Sequence, residues 1–161
     1  MIGLSHGKGV SFDFGKFTKL ITKKNVKIIG KSYYVGRVRQ DGSEKADKFV
    51  AGQQKLFQNL RKYGFKYVLG YLLKAGDVYH EKGVDVQIAV DMMEAAYEDL
   101  CDRIIIISSD TDLAPAIAKA RAKGKIVEYV GFSHKPSVAM VSFCTESTLL
   151  KKEDLERLFK K

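Results

Sequence analysis

The stretch Arg103-Ile104-Ile105-Ile106-Ile107-Ser108-Ser109-Asp110-Thr111-Asp112-Leu113 decides how this chain folds. Four consecutive isoleucines are too few for a helix, and they have the β-branched, both-faces-apolar character of a strand buried inside a parallel sheet. The strand is expected to end at Ser108 and Ser109. Asp110 and Asp112 then precede a helical pattern of Leu113, Ile117, Ala120 and Arg121, with Pro115 tolerated in the first turn. In an open α/β sheet, ligands bind outside the carboxyl ends of the strands, so the end of this strand is where chemistry is expected.

One carboxylate at that point is explained by helix capping, because Asp110, Thr111 or Asp112 can accept a hydrogen bond from the free N–H groups of the first turn. Two carboxylates are more than a cap needs. A like-charge pair ~4 Å apart repels by ~4 kcal/mol at an effective dielectric near ~20, and a helix N-terminus offsets only about 1 kcal/mol of that. A hard cation that takes oxygen ligands, such as Mg²⁺, Mn²⁺ or Ca²⁺, converts the repulsion into coordination.

Outward from this stretch, strand and helix patterns alternate. Asp13 is placed to cap a short helix packing Phe17, Leu20 and Ile21, and Val26 to Val35 reads as a strand followed by a loop holding Arg37 and Arg39 within reach of phosphate. Ala46, Phe49, Val50, Leu56, Phe57 and Leu60 recur at helical spacing up to a stop at Gly64. Phe65 to Gly70 is the next strand, and Tyr71 to His80 a hairpin turning at Ala75-Gly76-Asp77, whose tyrosines either cover a sheet edge or stack on bases.

A third major helix opens at Glu81-Lys82-Gly83-Val84-Asp85, with an expected buried stripe of Val86, Ala89, Val90, Met93, Ala96, Tyr97 and Leu100. Asp85 and Asp91 lie about 120° apart around it, so Asp85 points to a site at the helix start and Asp91 needs another partner. Beyond Gly124 come a strand over Lys125 to Gly131, a short helix from Ser137 to Phe143, an edge strand at Ser147 to Leu150, and an amphipathic end helix over Lys151 to Lys161. The alternation defines an α/β fold with a mainly parallel sheet.

The chain has 161 residues, 45% hydrophobic and 29% charged, which suits one globular domain over 1–161. No apolar run approaches ~18 residues, and the start lacks the layout of a secretory leader. Cys101 and Cys144 form neither a metal spacing nor a disulfide framework, so a cytoplasmic protein is expected. The net charge of +9 is unevenly placed, at +11 over residues 1–66 and −2 over 67–161. A basic half beside an acidic half suits a polyanion laid across a cation site, although a solvated lysine-rich surface has the same composition.

Lys82-Gly83-Val84-Asp85-Val86 with Val90-Asp91-Met92, then Ile104 to Leu113, and Gly124-Lys125 before Val130-Gly131-Phe132, together resemble the NYN domain, and within it the LabA-like subgroup of the PIN-like nucleases. The resemblance implies a three-layer PIN-like or Rossmann-like sandwich around a mainly parallel central sheet. It also implies a metal-dependent ribonuclease with Mg²⁺ or Mn²⁺ held by Asp85, Asp110 and Asp112, and Asp91 as an additional acid. RNA is the implied partner, contacted by Lys82, Arg37, Arg39, Ser109 and Thr111, and a homodimer is a further expectation. Ser109 and Leu113 depart mildly from the family, which usually has Gly and Phe there.

The larger departure is at the N-terminus. Family members begin with a central strand ending in an Ile-Asp-x-x-Asn-like motif, whereas Met1-Ile2 resemble the residues just after it, so the domain reads as N-terminally truncated. A start upstream of Met1 is the preferred reading, since losing a central strand leaves its neighbours' backbone groups unpaired. The alternative function is a catalytically inactive RNA-binding or regulatory module of the same fold. A phosphatase of the haloacid dehalogenase type shares the Asp-x-Asp motif, but only 49 residues follow Asp112 and the two serines interrupt the strand-to-Asp junction.

Overall fold

The computed structural model describes residues 11–38, 42–75 and 78–160. They gather into two units, the first drawn from the stretches Met1–Val26 and Ala89–Lys161 and the second from Lys27–Ile88. Unit 1 begins with β1 (Ser11–Phe12) and α1 (Phe14–Ile21), whose first turn is capped by Asp13 accepting from the Lys16 N–H at 2.9 Å. Phe14 and Phe17 are buried, as the helical pattern requires, while Leu20 is exposed.

Unit 2 is built on a β-α-β step. β2 (Ser32–Val35) and β3 (Lys66–Leu69) pair in parallel, Ser32 opposite Lys66 and Val35 opposite Leu69. Between them runs α2 (Glu44–Lys62), capped by Ser43, with Glu44 and Asp47 in its first turn and Arg61 and Lys62 in its last, each sign matching the helix dipole. Gly64, at φ +72°, ends the helix in the left-handed region where a glycine stop is favoured. β4 (Tyr71–Ala75) and β5 (Val78–Lys82) form the antiparallel hairpin, whose turn residues 76–77 lie outside the described residues.

Three expectations are corrected in this unit. The strand expected from Val26 begins only at Ser32, because pairing with β3 spans just four residues, and Ile28 and Ile29 before it are exposed. α2 buries Ala46, Phe57 and Leu60 but leaves Phe49 in solvent. Lys82 also belongs to β5, so the next helix, α3 (Val84–Tyr97), starts after Gly83 and not at Glu81.

α3 buries Met92 and Ala96, whereas Val86, Val90, Tyr97 and Leu100 of the expected buried stripe are exposed. The helix is apolar on two faces, and periodicity alone does not choose between them.

In unit 1 the strands β6 (Arg103–Ile106), β7 (Ile126–Phe132) and β8 (Glu146–Leu150) form a parallel sheet in that order. β7 is the central strand. Its Val130 joins Phe17, Leu150 and Leu158 in one cluster, while α4 (Ala114–Ala122), with Ile117 and Ala120 fully buried, and α5 (Val138–Phe143), with Met140, lie against the rest of the core. The isoleucine strand β6 is an edge of this sheet among the described residues, and of its four residues only Ile106 is buried. An apolar run thus fixes neither how fully a strand's faces are covered nor how many neighbours it has.

The C-terminal segment also differs from expectation. α6 covers only Lys152–Glu156, and β9 (Phe159–Lys160) then pairs antiparallel with β1, Phe12 opposite Phe159. The backbone turns because Leu158 enters the cluster with Phe17 and its carbonyl accepts from the Asp13 N–H at 2.7 Å. Among the described residues no helix is long and apolar enough to cross a membrane.

Gly131 sits on β7 beneath the ring of Tyr129, where a Cβ would stand 2.7 Å from Cε1 and closer still to Cζ and the hydroxyl. Tyr129 is 3% exposed, so its ring has nowhere to move. Gly131→Ala is expected to cost about 1–3 kcal/mol through overpacking, read as a fall in the denaturant midpoint at unchanged slope.

One face of the sheet carries a charged network. Arg103 donates to Glu128 at 2.8 Å and to both oxygens of Glu146 at 2.9 and 3.2 Å, Lys23 pairs with Glu146 at 2.6 Å, and Thr148 donates to Glu128 at 2.7 Å. The hydrogen bonds from Arg103 and then Lys23 hold the Glu146 carboxyl at about 2, below its ordinary 4.5. Its contribution to stability is therefore present above pH 4.5 and is lost as pH falls from there towards 2. Glu146→Gln is expected to flatten that acid limb, measured as melting temperature against pH.

Candidate functional site

The backbone leaves β6 through Ile107 and Ser108 and turns at Asp110 into a single 3-10 turn, Thr111–Leu113, that leads into α4. Asp110 holds the start of that turn, its Oδ1 accepting from the Asp112 N–H at 2.9 Å. Its own N–H donates to Ser108 Oγ at 3.2 Å, a role that two neighbouring serines leave ambiguous in the sequence. Leu113 is buried and anchors the turn, while Ser109, Thr111 and Asp112 are exposed and Asp110 is half-buried. The capping role is thus present: one oxygen of Asp110 is spent on the cap, and the exposed Asp112 carboxylate stands on the same turn.

The remaining acids stand on α3. Gly83, at φ +88°, makes the turn out of β5 and accepts from the Gln87 N–H at 2.9 Å, which places exposed Asp85 in the first turn. Asp91 is half-buried further along the helix. Lys82 is the exposed last residue of β5, and Arg37 is exposed just past the end of β2. Arg39 lies outside the described residues.

Among the described residues, no three His, Cys, Asp or Glu side chains gather into a group that could hold a metal ion. Asp110 and Asp112 nevertheless suit one kind of cation. Mg²⁺ commonly takes only one or two carboxylates and fills the rest of its shell with water and substrate phosphate, so a pair of hard oxygen donors on an exposed turn fits its chemistry. Burial pushes both cysteine thiols up, and Cys144 is inside the core.

Parallel strands joined through helices, with an acid pair just past a strand's carboxyl end, define the class as an α/β domain of PIN-like build. Residues 3–151 match the NYN domain model, and the chain belongs to the NYN domain family. It is 28% identical over 157 residues to an uncharacterized protein of Methanocaldococcus jannaschii, covering 96% of this chain and 55% of the relative. The chain thus spans about half the length of the curated relative it matches. A crystal structure of a protein of unknown function from Vibrio parahaemolyticus superposes with a TM-score of 0.67 at 21% identity, covering 89% of this chain and 81% of that one. That likeness is one of fold.

Proposed function

We propose that this protein is a metal-dependent ribonuclease that hydrolyses RNA phosphodiester bonds. The observation that carries the reading is the pair Asp110 and Asp112 on one turn beyond β6, in a chain of the NYN family. Bound Mg²⁺ or Mn²⁺ would supply a more acidic water and offset charge on the phosphate being cleaved. Asp110 is oriented for that role by the Asp112 N–H, Asp85 is the third acid of the proposed set, and Asp91 a further one. Lys82, Arg37 and Arg39, with Ser109 and Thr111, are assigned to the RNA backbone, to which a chain of net charge +9 is drawn.

The test is incubation of the whole chain with single-stranded RNA of mixed sequence, with Mn²⁺, with Mg²⁺ and with a chelator. Cleavage that needs the metal is the expected result. Intact RNA, together with no calorimetric signal for Mn²⁺ binding, sinks the reading.

The net charge of +9 also suits a second reading, a catalytically silent RNA-binding module. Such a protein binds RNA with affinity that falls steeply with salt and is indifferent to Asp110→Asn.

A further inference from the structure

Unit 2 sets aromatic rings among basic residues, and several have a covered face. Tyr67 stacks on Phe57 with centroids 4.1 Å apart and has the Arg61 guanidinium 5.2 Å from its ring, while Phe65 lies 5.0 Å from the Lys31 ammonium. Tyr71, the first residue of β4, is 57% exposed. The hairpin register sets it directly opposite Lys82, so both side chains leave the same face.

Gly83 follows Lys82, and a Cβ there would stand 2.5 Å from Cε1 of Tyr71. The ring is therefore seated against backbone that only glycine provides, both by its lack of a side chain and by its φ of +88°. Two residues on, Asp85 lies in the first turn of α3.

We propose, resting on the ribonuclease reading, that Tyr71 is a positioning residue on which one unpaired base of the substrate stacks, with Lys82 beside it receiving an adjacent phosphate. A ring that merely covers a sheet edge is buried by doing so, and this one is not. Unit 2 holds twelve Lys and Arg against six acids, a balance complementary to a phosphate chain. Stacking on an aromatic ring tolerates any base but requires a base free of its neighbours, so the substrate class is single-stranded RNA or an unpaired loop, not a duplex.

The test measures affinity by fluorescence anisotropy, without divalent metal, for a labelled single-stranded RNA and for a duplex of the same sequence. Tyr71→Ala is expected to weaken single-strand binding roughly 5- to 100-fold, with duplex binding unchanged. Tyr71→Phe, which keeps the ring, is expected to stay within about twofold of the wild type. In cleavage assays Tyr71→Ala is expected to raise KM far more than it lowers kcat.

Wild-type affinity in Tyr71→Ala, the result expected if the ring serves a protein partner, overturns the inference. Equal weakening of single strand and duplex overturns it too, as damage to the fold. A wild-type chain that cuts RNA beside an unimpaired Tyr71→Ala refutes only the platform, whereas a wild type that neither binds nor cuts RNA refutes the ribonuclease reading with it.

Discussion

Asp110→Asn is expected to lower metal-dependent RNA cleavage by a factor of about 10²–10³, since a ligand to a catalytic cation is worth several kcal/mol and each ~1.4 kcal/mol is a decade in rate. The substitution separates the capping duty of this residue from its proposed metal-binding one. Asparagine caps a helix about as well as aspartate, so the bond from the Asp112 N–H survives and stability is expected to change by less than about 0.5 kcal/mol. Asp110→Ala removes cap and charge together and is expected to cost a further ~1 kcal/mol of stability. Single-turnover cleavage with a parallel denaturation curve resolves the two effects. Full activity in Asp110→Asn would remove this turn from the chemistry and leave the binding module as the better reading.

Arg103→Met is expected to destabilise the protein by about 3 kcal/mol, the low end for breaking a buried ion pair because Arg103 keeps an edge in water. Glu128, at 2% exposure, would keep Thr148 as a donor but lose the cation that balances its charge inside the sheet, while Glu146 would retain Lys23. Adding Glu128→Gln is expected to recover much of the loss, because an amide carries no charge to strand and still accepts from Thr148. Urea denaturation of the two single variants and the double variant measures the coupling. A cost below about 1 kcal/mol for Arg103→Met would show that water reaches Glu128 and that the pair behaves as a surface contact.

The acid-bearing turn was legible because its determinants are local. A strand-forming run, two serines, a capping aspartate and a proline-tolerant first turn all fall within a dozen residues, and each acts on backbone groups two or three positions away. Helix stops at Gly64 and Gly124 were legible for the same reason. The charged network was not, since Arg103 meets partners 25 and 43 residues away, and no spacing rule links positions on three strands. The position of β6 in its sheet, the exposed stripe of α3 and the pairing of β9 likewise depend on which neighbour arrives, which local pattern does not encode. Tyr71 shows the intermediate case: the hairpin could be read, but the seating of its ring on Gly83 required the register.

The pairing of β1 with β9 gives unit 1 a timetable. Ser11 and Phe12 meet Lys160 and Phe159, and Phe17 shares a cluster with Leu158, so the earliest described residues of the unit are completed by the latest. At ~5–20 residues per second of synthesis, α1 emerges on the order of 10 s before its partners. The residues of unit 2 are all made within that interval. On the ribosome, unit 2 therefore has all its strands while the apolar side of α1 still awaits its cover, and unit 1 closes only once Leu158 and Phe159 have left the exit tunnel.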